Sequence, residues 1–340
     1  MIAHRSLPID CLKVFGAQLI FFHHLALYSP MAKVLEIELP QVIDFLFIYA
    51  RLPVSSFLVV GGYLCAQHLF HERSTFSLPH LIYKRCARLL PLYFFSLLAV
   101  IVVTVAWQSV LKDELWVSAI PSIHVIAAHL LLLQDVFGVP ALSAGAWYVS
   151  IDLQLYTLAL TVFLLSRFTA SFDLEIMGLV VFVASIISLF IWSKDSRYDI
   201  CALYFIQAYG VGVLAYLGRK NRLNLYFFLS LLILLGIDAV SQTAFKSYVI
   251  FSTAFLIFFV QKNYFLHTYF ARLLSLSSNA SYAFFVSHFF VIITFTGIWK
   301  MLELQGFHMA ALVCFATWLA AIQISFVLNF FYLRYRPISI

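Results

Sequence analysis

Charge is scarce in this chain. Asp, Glu, Lys and Arg together make up 11% of its 340 residues, against roughly 25% in an ordinary soluble domain. Hydrophobic residues reach 64%, with 36 Phe, where about 45–50% is usual. The composition excludes a soluble globular domain and points to a chain that crosses a membrane repeatedly. Cysteine patterning is also lacking: Cys11, Cys65, Cys86, Cys201 and Cys314 are scattered, with no Cys-x-x-Cys spacing, which excludes a disulfide scaffold. They are read as small buried apolar residues. No internal repeat, low-complexity tract or Pro/Gly-rich linker interrupts the sequence, so a single domain over 1–340 is expected. The first apolar run is long, contains charges and lacks a small-residue cleavage site after it; it is expected to stay as a helix.

The apolar runs fall at 9–28, 52–70, 86–107, 119–136, 145–166, 176–193, 200–217, 225–239, 247–261, 280–299 and 309–333. About 20 residues cross a bilayer as a helix. Loop cations help to decide which runs span, because Lys and Arg sort to the cytoplasmic side. If 119–136 (with Pro121, His124 and His129) re-enters or lies flat, four basic sites share one side. These are the Arg73/Lys84/Arg85/Arg88 loop, the Arg219/Lys220/Arg222 loop, the Lys262/Arg272 loop and the Arg334/Arg336 tail. The expected fold is therefore an all-α polytopic membrane protein of about ten transmembrane helices. On this reading segment 119–136 is an extra re-entrant or flat-lying piece and both ends are cytoplasmic; the alternative is that all eleven runs span. The net charge of +6 is thus read as topology and not as affinity for nucleic acid.

Ionisable residues inside the runs are expensive, at roughly 2.5–3.5 kcal/mol each on insertion scales. The first run nevertheless holds Asp10, Lys13, His23 and His24. Helical geometry brings Lys13 and His24 to nearly one line, with Asp10 on the same side. Counting rise along the runs puts His24 about 22 Å above the inner side, Asp152 about 20 Å and His288 roughly 15 Å. Such convergence from three helices implies a polar cavity.

Each group has a plain reading and a chemical one. A membrane histidine commonly hydrogen-bonds a neighbouring helix, but neutral imidazole can also take a proton from a hydroxyl at neutral pH. His24, sharing a face with Lys13 and Asp10, is the candidate base, and Asp152 the candidate to hold its tautomer. Arg85 and Arg88 at a helix entrance read either as membrane-edge anchors or as a fork for phosphates. Trp147 fits an aromatic belt, whereas an aspartate at position 152 does not. Tyr148, Asp152 and Tyr156 share one face, as do Ser281 and His288, seven residues apart.

Five short motifs in order resemble the acyltransferase 3 family of integral-membrane acyltransferases, across most of the chain. They are Asp10-x-x-Lys13 with His24 following, Phe57-Leu-Val-Val-Gly61-Gly62-Tyr63-Leu64, and Arg85-x-x-Arg88-x-x-Pro91. Then come Trp147-Tyr-Val-Ser150-Ile-Asp152-Leu-Gln-Leu-Tyr156 and Ser281-Tyr282-Ala-Phe-Phe285-Val-Ser-His288. Lys13 stands where relatives carry Arg, Asp152 where they carry Glu, Gly61 where they carry Ser, and Arg336 where they carry Glu. The resemblance implies transfer of an acyl group, most often acetyl, from acyl-CoA as co-substrate. The acceptor would be a hydroxyl of a surface carbohydrate or lipid-linked glycan at a bacterial cytoplasmic (inner) membrane. On this reading His24 and Asp152 are catalytic and Arg85 and Arg88 bind the donor. Asp10, Lys13, Trp147, Ser150, Tyr156, Ser281, Tyr282 and His288 support or line the cavity.

No metal is implied, since His124 and His129 are five apart, off the spacing two ligands on one helix face prefer. The rival reading, a transporter of a glycan or small solute, also suits ionisable groups at mid-depth. It lacks the repeated halves and paired Gly/Pro-broken helices expected of that class.

Overall fold

The computed structural model describes residues 5–71, 77–111, 120–167, 174–241, 244–260, 263–264 and 269–335. Among these the protein is helical: α1 (Leu7–Tyr28), α2 (Pro30–Glu38), α3 (Pro40–Ile48), α4 (Pro53–His71), α5 (Leu78–Val110), α6 (Ile123–Leu130) and α7 (Ala146–Arg167). They are followed by α8 (Leu174–Phe190), α9 (Ile206–Leu217), α10 (Arg222–Ser241), α11 (Phe245–Phe259), α12 (Tyr269–Met301) and α13 (Phe307–Tyr335). Two two-residue strands, β1 (Arg5–Ser6) and β2 (Asn263–Tyr264), pair antiparallel.

Eight described helices are long and apolar enough to cross a membrane, and two shorter apolar helices, Ala202–Leu217 and Phe245–Phe259, join them. Segment 119–136 contributes only the eight-residue α6 followed by turns, about 12 Å of rise, too little to span. The helices long enough to cross make the protein an integral membrane one. Arg73, Lys262 and Arg336, which enter the orientation argument, lie outside the described residues, as does the first residue of segment 119–136.

The stretch 29–51 is the main element absent from the apolar-run reading. Its two helices begin on proline, which suits the first helical position because its missing N–H needs no partner there. Ser29 caps α2 by accepting a hydrogen bond from the Ala32 N–H at 3.2 Å. Pro91 lies inside the 33-residue α5.

The chain divides into two compact units. The first comprises Met1–Leu12, Leu52–Cys86 and Ser150–Thr268. Its densest packing joins α4 to α9, and it also joins α8, α10 and α11. Glycine makes the α4–α9 approach possible. A Cβ on Gly62 would sit 1.9 Å from the Tyr209 carbonyl oxygen, and one on Gly212 would sit 2.0 Å from that of Val59. Small residues serve the same purpose at membrane helix crossings generally, letting backbones touch where lipid offers no hydrophobic drive. The second unit comprises Lys13–Arg51, Ala87–Val149 and Tyr269–Ile340. In it α12 packs on α13, α13 on α2, and α2 on α3. Trp318 of α13 donates from its indole to Gln18 of α1 at 2.7 Å.

Candidate active site

In the second unit, α1 and α12 bring two histidines together. His24 Nδ1 lies 2.7 Å from His288 Nε2, both side chains buried. The rings are coplanar to 2° with centroids 4.9 Å apart. That separation with so short an N···N distance means the rings meet edge to edge, along a hydrogen bond. His288 Nδ1 in turn lies 3.3 Å from the Phe284 carbonyl oxygen, one turn back on α12. Phe21, Phe284 and Phe285 surround His288 at ring-centroid distances of 6.1–6.3 Å. His23 is engaged elsewhere: its Nδ1 lies 3.1 Å from the Leu46 carbonyl on α3. The two adjacent histidines are thus sorted by their partners, one to a backbone carbonyl and one to a second imidazole.

Also in this unit, Tyr282 donates to the Leu89 carbonyl at 2.8 Å, tying α12 to α5 just beyond Arg88. Ser281 donates to the Ser278 carbonyl one turn back, at 2.8 Å. Trp147 meets Tyr148 edge-on, and Tyr148 packs against Phe285 at 5.0 Å. Gly145 admits that same ring, since a Cβ there would meet Phe285 at 3.3 Å.

In the first unit, Asp152 of α7 is buried and receives Arg85 of α5 side-on. Nε donates to Oδ2 at 3.2 Å, and Nη2 donates to Oδ1 at 2.7 Å and to Oδ2 at 2.6 Å. The Arg85 guanidinium also lies 5.0 Å from the Tyr156 ring centroid, and Tyr156 reaches the Leu81 carbonyl at 3.5 Å. Ser150 accepts from Gln154 at 3.2 Å, and Gln154 accepts from the Ala202 N–H at 2.9 Å. The sequence suggests Asp152 as the group that fixes the His24 tautomer. In the structure the Asp152 carboxylate is engaged by Arg85, and His24 Nδ1 is engaged by His288. Gly61 has a local reason here: a Cβ would lie 3.3 Å from the Tyr209 ring and 3.7 Å from Asp152 Oδ1. Asp10 is buried near the start of α1, and Lys13 follows one turn later on the same helix.

Two polar clusters of the first unit escape sequence reasoning. Arg219, read as a loop cation, donates to the Tyr63 hydroxyl and to the Ile257 and Phe258 carbonyls at 2.6 and 2.9 Å. Those carbonyls end α11, so a cation there complements the helix dipole as well as its unpaired acceptors. The signal available was a basic residue immediately after an apolar run. Asp238, buried in α10, accepts from Lys194 Nζ at 2.6 Å and from Ser247 Oγ at 2.5 Å. His129 is spoken for as well. Its Nδ1 donates to the Val125 carbonyl at 2.8 Å, and its Nε2 accepts from the Leu142 N–H at 3.0 Å.

A set of helices long and apolar enough to cross a membrane, holding hydrogen-bonded ionisable side chains inside its packing, defines an integral-membrane protein with polar groups in its helical core. The chain belongs to the acyltransferase 3 family: the family model described as an acyltransferase domain matches residues 8–328. It is a membrane acyltransferase. No curated protein and no solved structure matches it significantly.

Proposed function

We propose that the protein transfers an acyl group, acetyl in the first instance, from acyl-CoA to a hydroxyl of a surface carbohydrate or lipid-linked glycan, with His24 as general base. The observation that carries this reading is the buried His24–His288 hydrogen bond at 2.7 Å. It holds an imidazole in fixed orientation inside an apolar collar, where a positioned base contributes typically 10²–10⁴-fold.

The chemistry balances on this one group. His24 takes the acceptor's hydroxyl proton as the oxygen attacks the thioester carbonyl carbon, forming the C–O bond. The tetrahedral intermediate collapses, the C–S bond breaks, and the imidazolium returns its proton to the departing thiolate. The products are an ester and free CoA. Arg88 and Arg85 are proposed to hold donor phosphates. Asp152 keeps the Nε/Nη2 edge of Arg85 in place and leaves the Nη1 edge to serve an anion. Asp10 and Lys13 fix the first helix, Trp147, Ser281 and Tyr282 shape the surroundings of His24, and Ser150 and Tyr156 those of Arg85. The reading places the protein in a bacterial cytoplasmic membrane, where ten spans put both ends on the cytoplasmic side.

The test uses His24→Ala and the unaltered protein in matched membranes. Acetyl-CoA consumption is followed, and surface glycans are weighed by mass spectrometry for an acetyl increment. Loss of both signals in a variant that inserts normally is the expected result. An undiminished increment in that variant would remove His24 as the base. Failure of the unaltered protein to consume acetyl-CoA would remove the donor.

A further inference from the structure

We propose that His288 is the positioning residue for His24: it sets the base's tautomer through a chain of two hydrogen bonds that ends on a backbone carbonyl. The inference rests on the reading of His24 as base and adds to it which nitrogen acts and what makes it do so.

The assignment follows from donors and acceptors alone. A carbonyl oxygen only accepts, so the contact between His288 Nδ1 and the Phe284 oxygen at 3.3 Å requires the His288 proton on Nδ1. A neutral imidazole carrying its proton on Nδ1 has a lone pair on Nε2. That lone pair faces His24 Nδ1 at 2.7 Å, so His24 Nδ1 must carry the proton in that bond. The remaining nitrogen of His24, Nε2, is left as the lone-pair site. The reverse arrangement would aim a lone pair of His288 Nδ1 at the Phe284 oxygen, a repulsion that its burial would not screen.

The same chain assists the transition state. When Nε2 takes a proton, His24 becomes imidazolium and its Nδ1–H bond to His288 becomes charge-assisted, about twice as strong as a neutral one. The coplanarity of the rings keeps donor and lone pair in line, which such strengthening needs. A carboxylate orients the base in the familiar serine-hydrolase arrangement. Here a second imidazole does the orienting while adding no negative charge to a membrane interior, where ionised groups are costly.

Two measurements test it. In the histidine ¹⁵N spectrum of the unaltered protein, His24 is expected as the Nδ1–H tautomer, and an Nε2–H tautomer would overturn the inference without any variant. In kinetics, His288→Phe keeps a planar aromatic ring and removes the acceptor. It should lower kcat by about 100-fold or more while leaving the KM for acetyl-CoA unchanged, in line with the range a general base supplies. His288→Gln, which can still offer a side-chain oxygen to His24 Nδ1, should recover kcat to within about tenfold of the unaltered protein. Equal losses in the Phe and Gln variants, or a loss confined to KM, would make His288 a packing residue only. The outcomes separate from those of the base itself. An inactive His24→Ala beside a fully active His288→Phe sinks the positioning role alone, whereas an active His24→Ala sinks the base.

Discussion

Arg85 holds Asp152 by three donor contacts of 2.6–3.2 Å, from two helices whose residues lie 67 apart in sequence. Asp152 is buried and Arg85 nearly so, with side-chain exposures of 5% and 18%. Removing one member of such a pair leaves the other as an uncompensated charge, at about 3–5 kcal/mol. Asp152→Ala and Arg85→Ala should each lower the unfolding midpoint of the detergent-solubilised protein markedly. The double variant should lose less than the two single losses added together. Strict additivity in that cycle would mean the pair is not coupled.

The α4–α9 crossing separates two adjacent glycines. Gly62→Ala puts a methyl 1.9 Å from the Tyr209 carbonyl oxygen, whereas Gly61→Ala approaches nothing nearer than the Tyr209 ring edge at 3.3 Å, with Asp152 Oδ1 at 3.7 Å. Thermal unfolding should show Gly62→Ala losing about 1–3 kcal/mol, the cost of an overpacked core, or failing to accumulate in the membrane. Gly61→Ala should stay close to the unaltered protein. Equal effects would mean the two helices can part at this crossing without cost.

Arg219 should act on stability before it acts on anything else. Arg219→Ala removes charge-assisted bonds to two terminal carbonyls of α11 and to Tyr63, and should cost about 2 kcal/mol. Arg219→Lys should recover part of that, since an ammonium still donates but cannot reach three acceptors with one planar group. Hydrogen exchange at the end of α11 reads this locally.

His129 gives the protein an acid sensitivity outside its spanning helices. Burial of the ring lowers its pKa below the ordinary 6.5, against smaller raising effects from the Val125 carbonyl and Asp135. The unfolded chain then binds the proton more readily than the folded one, so the contribution is complete above about pH 6.5 and is lost as pH falls below it. Protonation also costs the bond from the Leu142 N–H, because a protonated Nε2 no longer accepts. The stability advantage of the unaltered protein over His129→Gln should shrink on acidification through that range. A difference independent of pH would argue against the neutral tautomer assigned to this ring.

Most of the bundle is legible in the sequence because membrane crossing demands long apolar runs. Ten of the eleven runs became helices at close to the positions read, and 119–136, with Pro121 and two histidines, yielded only a short one. Stretch 29–51 was not legible as α2 and α3, since Pro30, Pro40, Glu36, Glu38 and Asp44 resemble a loop when no partner helix is known. The depth argument brought His24, Asp152 and His288 to the same part of the membrane, with His24 nearest in level to Asp152. It could not pair them, because rise along a helix says nothing about which helix stands beside it. Similar depth is also what suggested a His24–Asp152 partnership, and it gave no sign of the Arg85–Asp152 pair. Arg219 was read for topology by its charge, and its bonds to Tyr63 and the end of α11 are not legible from charge alone.

The reciprocal glycine contacts of α4 and α9 carry a genetic consequence. Gly62 faces the backbone of Tyr209, and Gly212 faces that of Val59, so neither clash can be relieved by shortening a side chain on the opposite helix. A selection for restored activity from Gly62→Ala or Gly212→Ala should therefore return true revertants in preference to compensating changes across that crossing.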